Sequence, residues 1–307
     1  MKASGLSALA LIAIGVALLE ARQQRPVTGP GPAAISGELR QWHKVTLTME
    51  GPQADESAQD SNPFLDYRMT VTFAHESGMP VYNVAGYFAA DGNAANTSAT
   101  AGNKWRAHVS PDKTGRWDWR VTFVSGKGVA VDAAAAADAQ PVAPYDGAAG
   151  TIQIATSNKA VPDFRAVGRL QYVGGHYLRF AGTGEYFLKF GADSPETLLA
   201  FADFDGTTTQ KPAVPVKTYA PHVKDWAPAD PTWKEGKGKG LMGALNYLAS
   251  KKVNAISFLP YNAGGDGDNV WPFVARDDKR HYDVSKLDQW QMVFDHAQRR
   301  GLYLHFK

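Results

Sequence analysis

The chain has 307 residues, enough for about two domains that each bury a core of their own. A hydrophobic share of 44% and a charged share of 20% are ordinary for globular proteins, and they exclude disorder or a many-span membrane protein for the bulk of the sequence. The net charge of +2, from 32 basic and 30 acidic residues without a basic stripe, argues against nucleic acid as a partner, and the lack of cysteine removes disulfides, thiolate nucleophiles and iron–sulfur clusters.

At the N-terminus, Lys2 precedes an unbroken run of apolar and small residues from Leu6 to Leu19, closed by Glu20. This has the h-region length of a secretory signal peptide and is short for a bilayer span. Residues 1–21 therefore read as a signal peptide with cleavage after Ala21, giving an exported product, periplasmic or extracellular, with no stable membrane insertion after cleavage. An uncleaved anchor helix is the alternative and also leaves the rest outside the cytoplasm. Residues 22–36, with Pro26, Pro30 and Pro32, read as a flexible leader.

Residues 37–160 show a period of two. Val45, Leu47 and Met49 alternate with threonines, as do Tyr67, Met69, Val71 and Phe73 with Arg68, Thr70 and Thr72. Further strands are expected over 81–88, 105–109, 117–124 and 151–155, separated by turn-rich stretches such as Asp91-Gly92-Asn93. Six or seven short strands without a helix predict a β-sandwich of immunoglobulin type. Residues 132–144, rich in alanine and ending in prolines, predict a surface loop. Trp42, Trp105, Trp117, Trp119 and Tyr87 are candidates to stack on sugar rings, but Trp117, Trp119, Val121 and Phe123 share one strand face, the pattern of a packed core. Asn96-Thr97-Ser98 matches a glycosylation sequon, a tripeptide frequent by chance.

From residue 161 to 307 the pattern changes. Residues 169–172 and 176–180 flank Gly174-Gly175 as a hairpin, and 186–190 form a short apolar strand. Leu241, Ala244, Leu245 and Leu248 fall at helical spacing, followed by the buried-strand run 253–259. Ser285-Lys286-Leu287-Asp288 reads as a capping box opening a helix striped by Leu287, Trp290, Phe294 and Ala297, which ends at Gly301 before a strand over 302–306. Strand, helix, strand, helix, strand implies a three-stranded parallel sheet. With the last strand reached at His305, the expectation is a multidomain chain whose second part holds the first βα units of an incomplete (β/α)8 barrel.

Several stretches carry a family resemblance. The run from Gly37-Glu38-Leu39-Arg40-Gln41-Trp42-His43 to Leu47, then Asn62-Pro63-Phe64-Leu65-Asp66-Tyr67-Arg68, Gly86-Tyr87-Phe88-Ala89-Ala90-Asp91-Gly92 and the stretch from Trp105 to Gly115-Arg116-Trp117, resemble the DUF5060 domain, an N-terminal β-sandwich of unknown function. Tyr186-Phe187-Leu188-Lys189 with Gly191-Ala192-Asp193-Ser194-Pro195-Glu196 is similar to the start of the glycoside-hydrolase-like barrel that follows it in that family, in the style of DUF4038 proteins. The resemblance implies polysaccharide or oligosaccharide as the partner. It also implies catalytic carboxylates after the fourth and seventh barrel strands, beyond the strands read here, so the chain as it stands is expected to be inactive.

Candidate substrate-binding residues lie where barrel strands end: Asp193 and Glu196 after the first strand; Asn262, Asp266, Asp268 and Trp271 after the second; His305 near the end of the third. Trp271 would stack on a sugar face and the carboxylates would accept hydroxyl hydrogen bonds. Asp193-Ser194-Pro195-Glu196 equally fits a helix N-cap, Asp266-Gly267-Asp268 a solvated turn, and His305 a buried strand residue. No phosphate loop, dinucleotide fingerprint, His-Glu-x-x-His pattern or Gly-x-Ser-x-Gly elbow is present, so no cofactor or metal is expected. The functional expectation is the N-terminal portion of an exported glycoside hydrolase-like protein, with a non-catalytic carbohydrate-binding or adhesion module as the alternative.

Overall fold

The computed structural model describes residues 33–191, 195–265 and 267–307. The segment read as a signal peptide, most of the leader, Asp193 and Asp266 lie outside these residues. Among the described residues, no helix is long and apolar enough to cross a membrane.

The first half contains β1 (Ala33–Ser36), β2 (Val45–Asp55), β3 (Tyr67–His75), β4 (Val81–Ala85), β5 (Tyr87–Phe88), the single helical turn α1 (Ala94–Thr97), β6 (Ala101–Val109), β7 (Gly115–Ser125), β8 (Gln140–Pro141) and β9 (Ala149–Ile154). These strands form two antiparallel sheets, β1-β2-β6-β5 and β4-β3-β7-β8, with β9 also paired to β7. The alternation in sequence explains the arrangement. Leu47, Met49 and Trp105 from one sheet meet Val71, Phe73, Trp117 and Phe123 from the other in a single buried core, while the intervening threonines and charges face outward. The tryptophans are thus core residues.

Two expectations about this half need correction. Ala33–Ser36 is not leader but an edge strand, paired in register from Ala33 with Met49 to Ser36 with Thr46. The stretch 81–88 is not one strand: it breaks at Gly86, so β4 joins one sheet and β5 the other. A Cβ at position 86 would fall 2.7 Å from the Met69 side chain, so only glycine lets the backbone cross so close to the core there. The stretch 132–144 is largely exposed as expected, although Gln140–Pro141 pairs with β7.

The second half holds the short hairpin β10 (Leu170–Gln171) and β11 (Arg179–Phe180), then α2 (Lys239–Ser250), β12 (Ala255–Phe258), α3 (Val284–Arg299) and β13 (Tyr303–Phe306). β12 and β13 pair in parallel, Ala255 with Tyr303 through Phe258 with Phe306. Ile256 and Phe258 turn toward the helices and join Leu241, Leu245, Trp290 and Val293 in a second core, so Ala255 and Ser257 occupy the opposite sheet face.

The expected three-stranded parallel sheet is corrected to two strands. Residues 188–190 run beside β12, tied by Asn254 N–H to the Phe190 carbonyl (2.9 Å) and Phe190 N–H to the Asn254 side chain (2.7 Å), yet they form no ladder. Gly191 permits the approach, since a Cβ there would overlap the Ala255 carbonyl oxygen at 1.9 Å. The capping box is also corrected. Asp283 caps α3 by accepting the Lys286 N–H at 2.9 Å, and Asp288 instead accepts the Ala95 N–H of the sandwich at 3.0 Å.

That last bond belongs to an extensive seam. Val284 enters the sandwich core, Gln289 donates to the Ala95 carbonyl (3.1 Å), Lys44 pairs with Asp295 (2.5 Å), and Asp205 accepts from Ser98 of the sandwich and from Ser285 and Lys234 of the second half. Asn96 of the sequon sits in the same seam, where its side-chain oxygen accepts the Lys234 N–H at 3.3 Å. One face of α3 therefore serves the α/β core while another grips the sandwich.

Candidate functional site

The sheet face turned away from α2 and α3 carries a polar row. Ser257 lies inside an apolar strand and is fully buried, and its register partner on β13 is His305. Ser257 Oγ lies 2.9 Å from His305 Nδ1 and accepts from Lys189 Nζ at 3.0 Å. An ammonium has only donors, so the buried serine hydrogen has one acceptor among its described neighbours, the histidine Nδ1. His305 itself is exposed, so the other edge of its ring, Nε2, is open to a ligand. At the strand ends beside the row, Lys307 pairs with Glu196 at 3.1 Å, and the Glu196 carbonyl accepts the Leu259 N–H at 2.8 Å. The arrangement presents donors, which suits hydroxyl-bearing ligands.

The other expected contacts are placed differently. The Asn262 side-chain oxygen accepts the N–H groups of Asn269 (3.1 Å) and Val270 (2.9 Å), closing its own loop. Asp268 is held by Arg276 through two hydrogen bonds, 2.7 and 3.1 Å, and accepts the Gly264 N–H. Together these donors lower its carboxyl below the usual aspartate range. Trp271 is 5% exposed, with Lys286 Nζ 5.9 Å from its ring centre, so it offers no open face to a sugar. No helix starts at Pro195; residues 196–199 form a turn, and Glu196 is exposed. Of the expected residues, only His305 joins the polar row. Ser257 and Lys189 were missed, although each is a polar residue set inside an apolar run, Ala255-Ile256-Ser257-Phe258 and Tyr186-Phe187-Leu188-Lys189-Phe190. Among the described residues, no cluster of His, Asp and Glu could hold a metal ion.

Residues 38–124, spanning β2 to nearly the end of β7, match the family model described as a domain of unknown function, DUF5060. No curated protein matches the chain. Among solved structures, the chain is similar to a putative glycoside hydrolase from Bacteroides vulgatus, with a TM-score of 0.48 and 15% identity over 88% of this chain and 41% of that one. The chain thus spans less than half the length of that protein.

Proposed function

We propose that the second half is the opening of a (β/α)8 barrel of glycoside hydrolase type, that the immunoglobulin-like sandwich braces it, and that the protein is exported to act on polysaccharide. The observation that carries this reading is the Lys189–Ser257–His305 row on the helix-free face of parallel strands, the face that a barrel turns inward. Exposed apolar side chains flank the sheet on both sides, Leu188 and Phe190 beside β12 and Phe306 on β13, and the outer edge of β13 pairs with no strand among the described residues. An uncovered edge of this kind is what neighbouring barrel strands would cover.

Glycosidases need two carboxyl groups across the scissile bond, and the described carboxylates nearest this face are engaged, Glu196 by Lys307 and Asp268 by Arg276. The role proposed for these strand ends is to bind saccharide. Histidine ring NMR with added soluble polysaccharide digests tests this. We expect the His305 Nε2 resonance to shift on titration and His305→Ala to weaken binding about tenfold. An unmoved His305 resonance in the presence of saturating saccharide would reject the site.

A further inference from the structure

A second concavity lies between the sandwich and α3, built from residues distinct from the polar row. It has a volume of about 570 Å³, inside the ~300–1,000 Å³ typical of small-molecule sites. Its apolar lining is aromatic: Phe64, Tyr67 and Tyr87 from the sandwich, Tyr282 and Phe294 from the second half. Tyr87 and Tyr282 are 40% and 38% exposed, so their rings remain accessible.

The polar groups of the lining keep unused hydrogen-bonding capacity. Arg68 pairs with Val124 through the β3–β7 ladder, but its guanidinium makes no hydrogen bond or ion pair among the described residues, and the Tyr282 hydroxyl likewise has no partner there. Asp288 on α3 spends one carboxylate oxygen on the Ala95 N–H, and Gln291 spends its amide nitrogen on Asp295 (2.9 Å), which leaves an acceptor oxygen on each. The Tyr87 hydroxyl is 2.7 Å from Nε2 of His108, a ring that burial keeps neutral near pH 7. The lining therefore combines a guanidinium-bearing residue, several acceptors and ring faces.

That combination discriminates among ligand classes. A hydrocarbon would desolvate Arg68 and Asp288 with nothing in return. An anion would meet Asp288, with Asp295 close behind it. A neutral sugar has hydroxyls that both donate and accept, and a C–H face that lies on tyrosine rings. We infer that the cleft between the sandwich and α3 binds a short neutral saccharide, which gives the sandwich a direct part in substrate capture. The inference takes only its ligand class from the carbohydrate reading above.

Isothermal titration of the full chain with a panel of short neutral oligosaccharides, differing in sugar and linkage, tests it. We expect saturable binding of at least one panel member. Arg68→Ala and Asp288→Asn should each weaken it about tenfold, and His305→Ala should leave this component unchanged. The Arg68 guanidinium has no partner among the described residues and Asn can still accept the Ala95 N–H, so both variants should retain the wild-type melting temperature. Binding that survives Arg68→Ala, or no binding by any panel member, overturns the cleft. Loss on His305→Ala alone assigns the saccharide to the strand ends and also overturns it. Loss on Arg68→Ala alone supports the cleft and counts against the strand-end site.

Discussion

The two halves of the chain solve the burial problem differently. The sandwich encloses its apolar faces between two sheets, and its central aromatic residues interlock: Trp105 packs against Tyr67, Phe88 and Phe123 at ring separations of 5.3, 5.4 and 5.0 Å. The α/β half covers one face of a two-stranded sheet with α2 and α3 and the start of the other with a small cluster of Val167, Phe180 and Phe187 around Ala255, while the outer edge of β13 pairs with no strand among the described residues and Phe306 is 50% exposed. The sandwich core also takes in Val284 from α3, so the two halves are joined through that helix. The contrast bears on the proposed sites as well, because the polar row and the cleft residues lie at the strand ends and along the seam rather than inside the sandwich core.

The most direct way to break the comparison is to hollow each half in turn. Trp105→Ala removes a ring that is 1% exposed from the middle of the sandwich and should cost about 3–5 kcal/mol, read as a large fall in melting temperature. A loss below about 1 kcal/mol would mean that the sandwich core is loosely packed and the contrast false.

A smaller, pH-dependent effect should come from the seam. Glu56 is buried, accepts the Val284 N–H at 2.8 Å, and faces Asp283, Asp55 and Lys286. Burial pushes its carboxyl up to about 7, the N–H donor opposes this, and the neighbouring aspartates push further in the same direction. A carboxyl raised in the folded state binds more protons there than when unfolded, so its contribution is fully present below pH 4.5 and is lost as pH rises through about 7. Glu56→Gln keeps an acceptor for Val284 and carries no charge. It should flatten this part of the stability profile and stabilise the protein above pH 7 by on the order of 1–2 kcal/mol after solvent screening. Denaturant melts across that window check the sign, and a destabilised variant at pH 8 would show that the carboxylate is welcome beside Lys286.

The smallest effect is expected at the uncovered edge. Phe306 touches Phe258 and Phe294 at 4.9 and 5.3 Å but is half exposed, so Phe306→Ala should cost less than about 1.5 kcal/mol in this chain. A cost comparable to that of Trp105→Ala would mean that β13 is as well covered as the sandwich core.

Local pattern made much of this molecule legible. The alternation of Val45, Leu47 and Met49 and of Met69, Val71 and Phe73 defined which strand faces enter the sandwich core. The spacing of Leu241, Ala244, Leu245 and Leu248 placed α2 within a residue or two of its observed limits. Tertiary contacts decided the rest. Nothing near Gly86 in the chain announces that Met69 will lie beneath it, so the strand break was invisible. α3 starts at Val284 with Asp283 as its cap, and Asp288 has its partner 193 residues away at Ala95. Asn262, Asp268 and Trp271 had the residue types of sugar contacts, but Asn269, Arg276 and Lys286 consumed or covered them. Periodicity is written in neighbours along the chain, which determined the strands, the helices and the faces they bury. Which side chains keep spare valence is set by partners brought together only on folding, and so His305 beside Ser257 and Lys189, and Arg68 opposite α3, were decided by the tertiary structure.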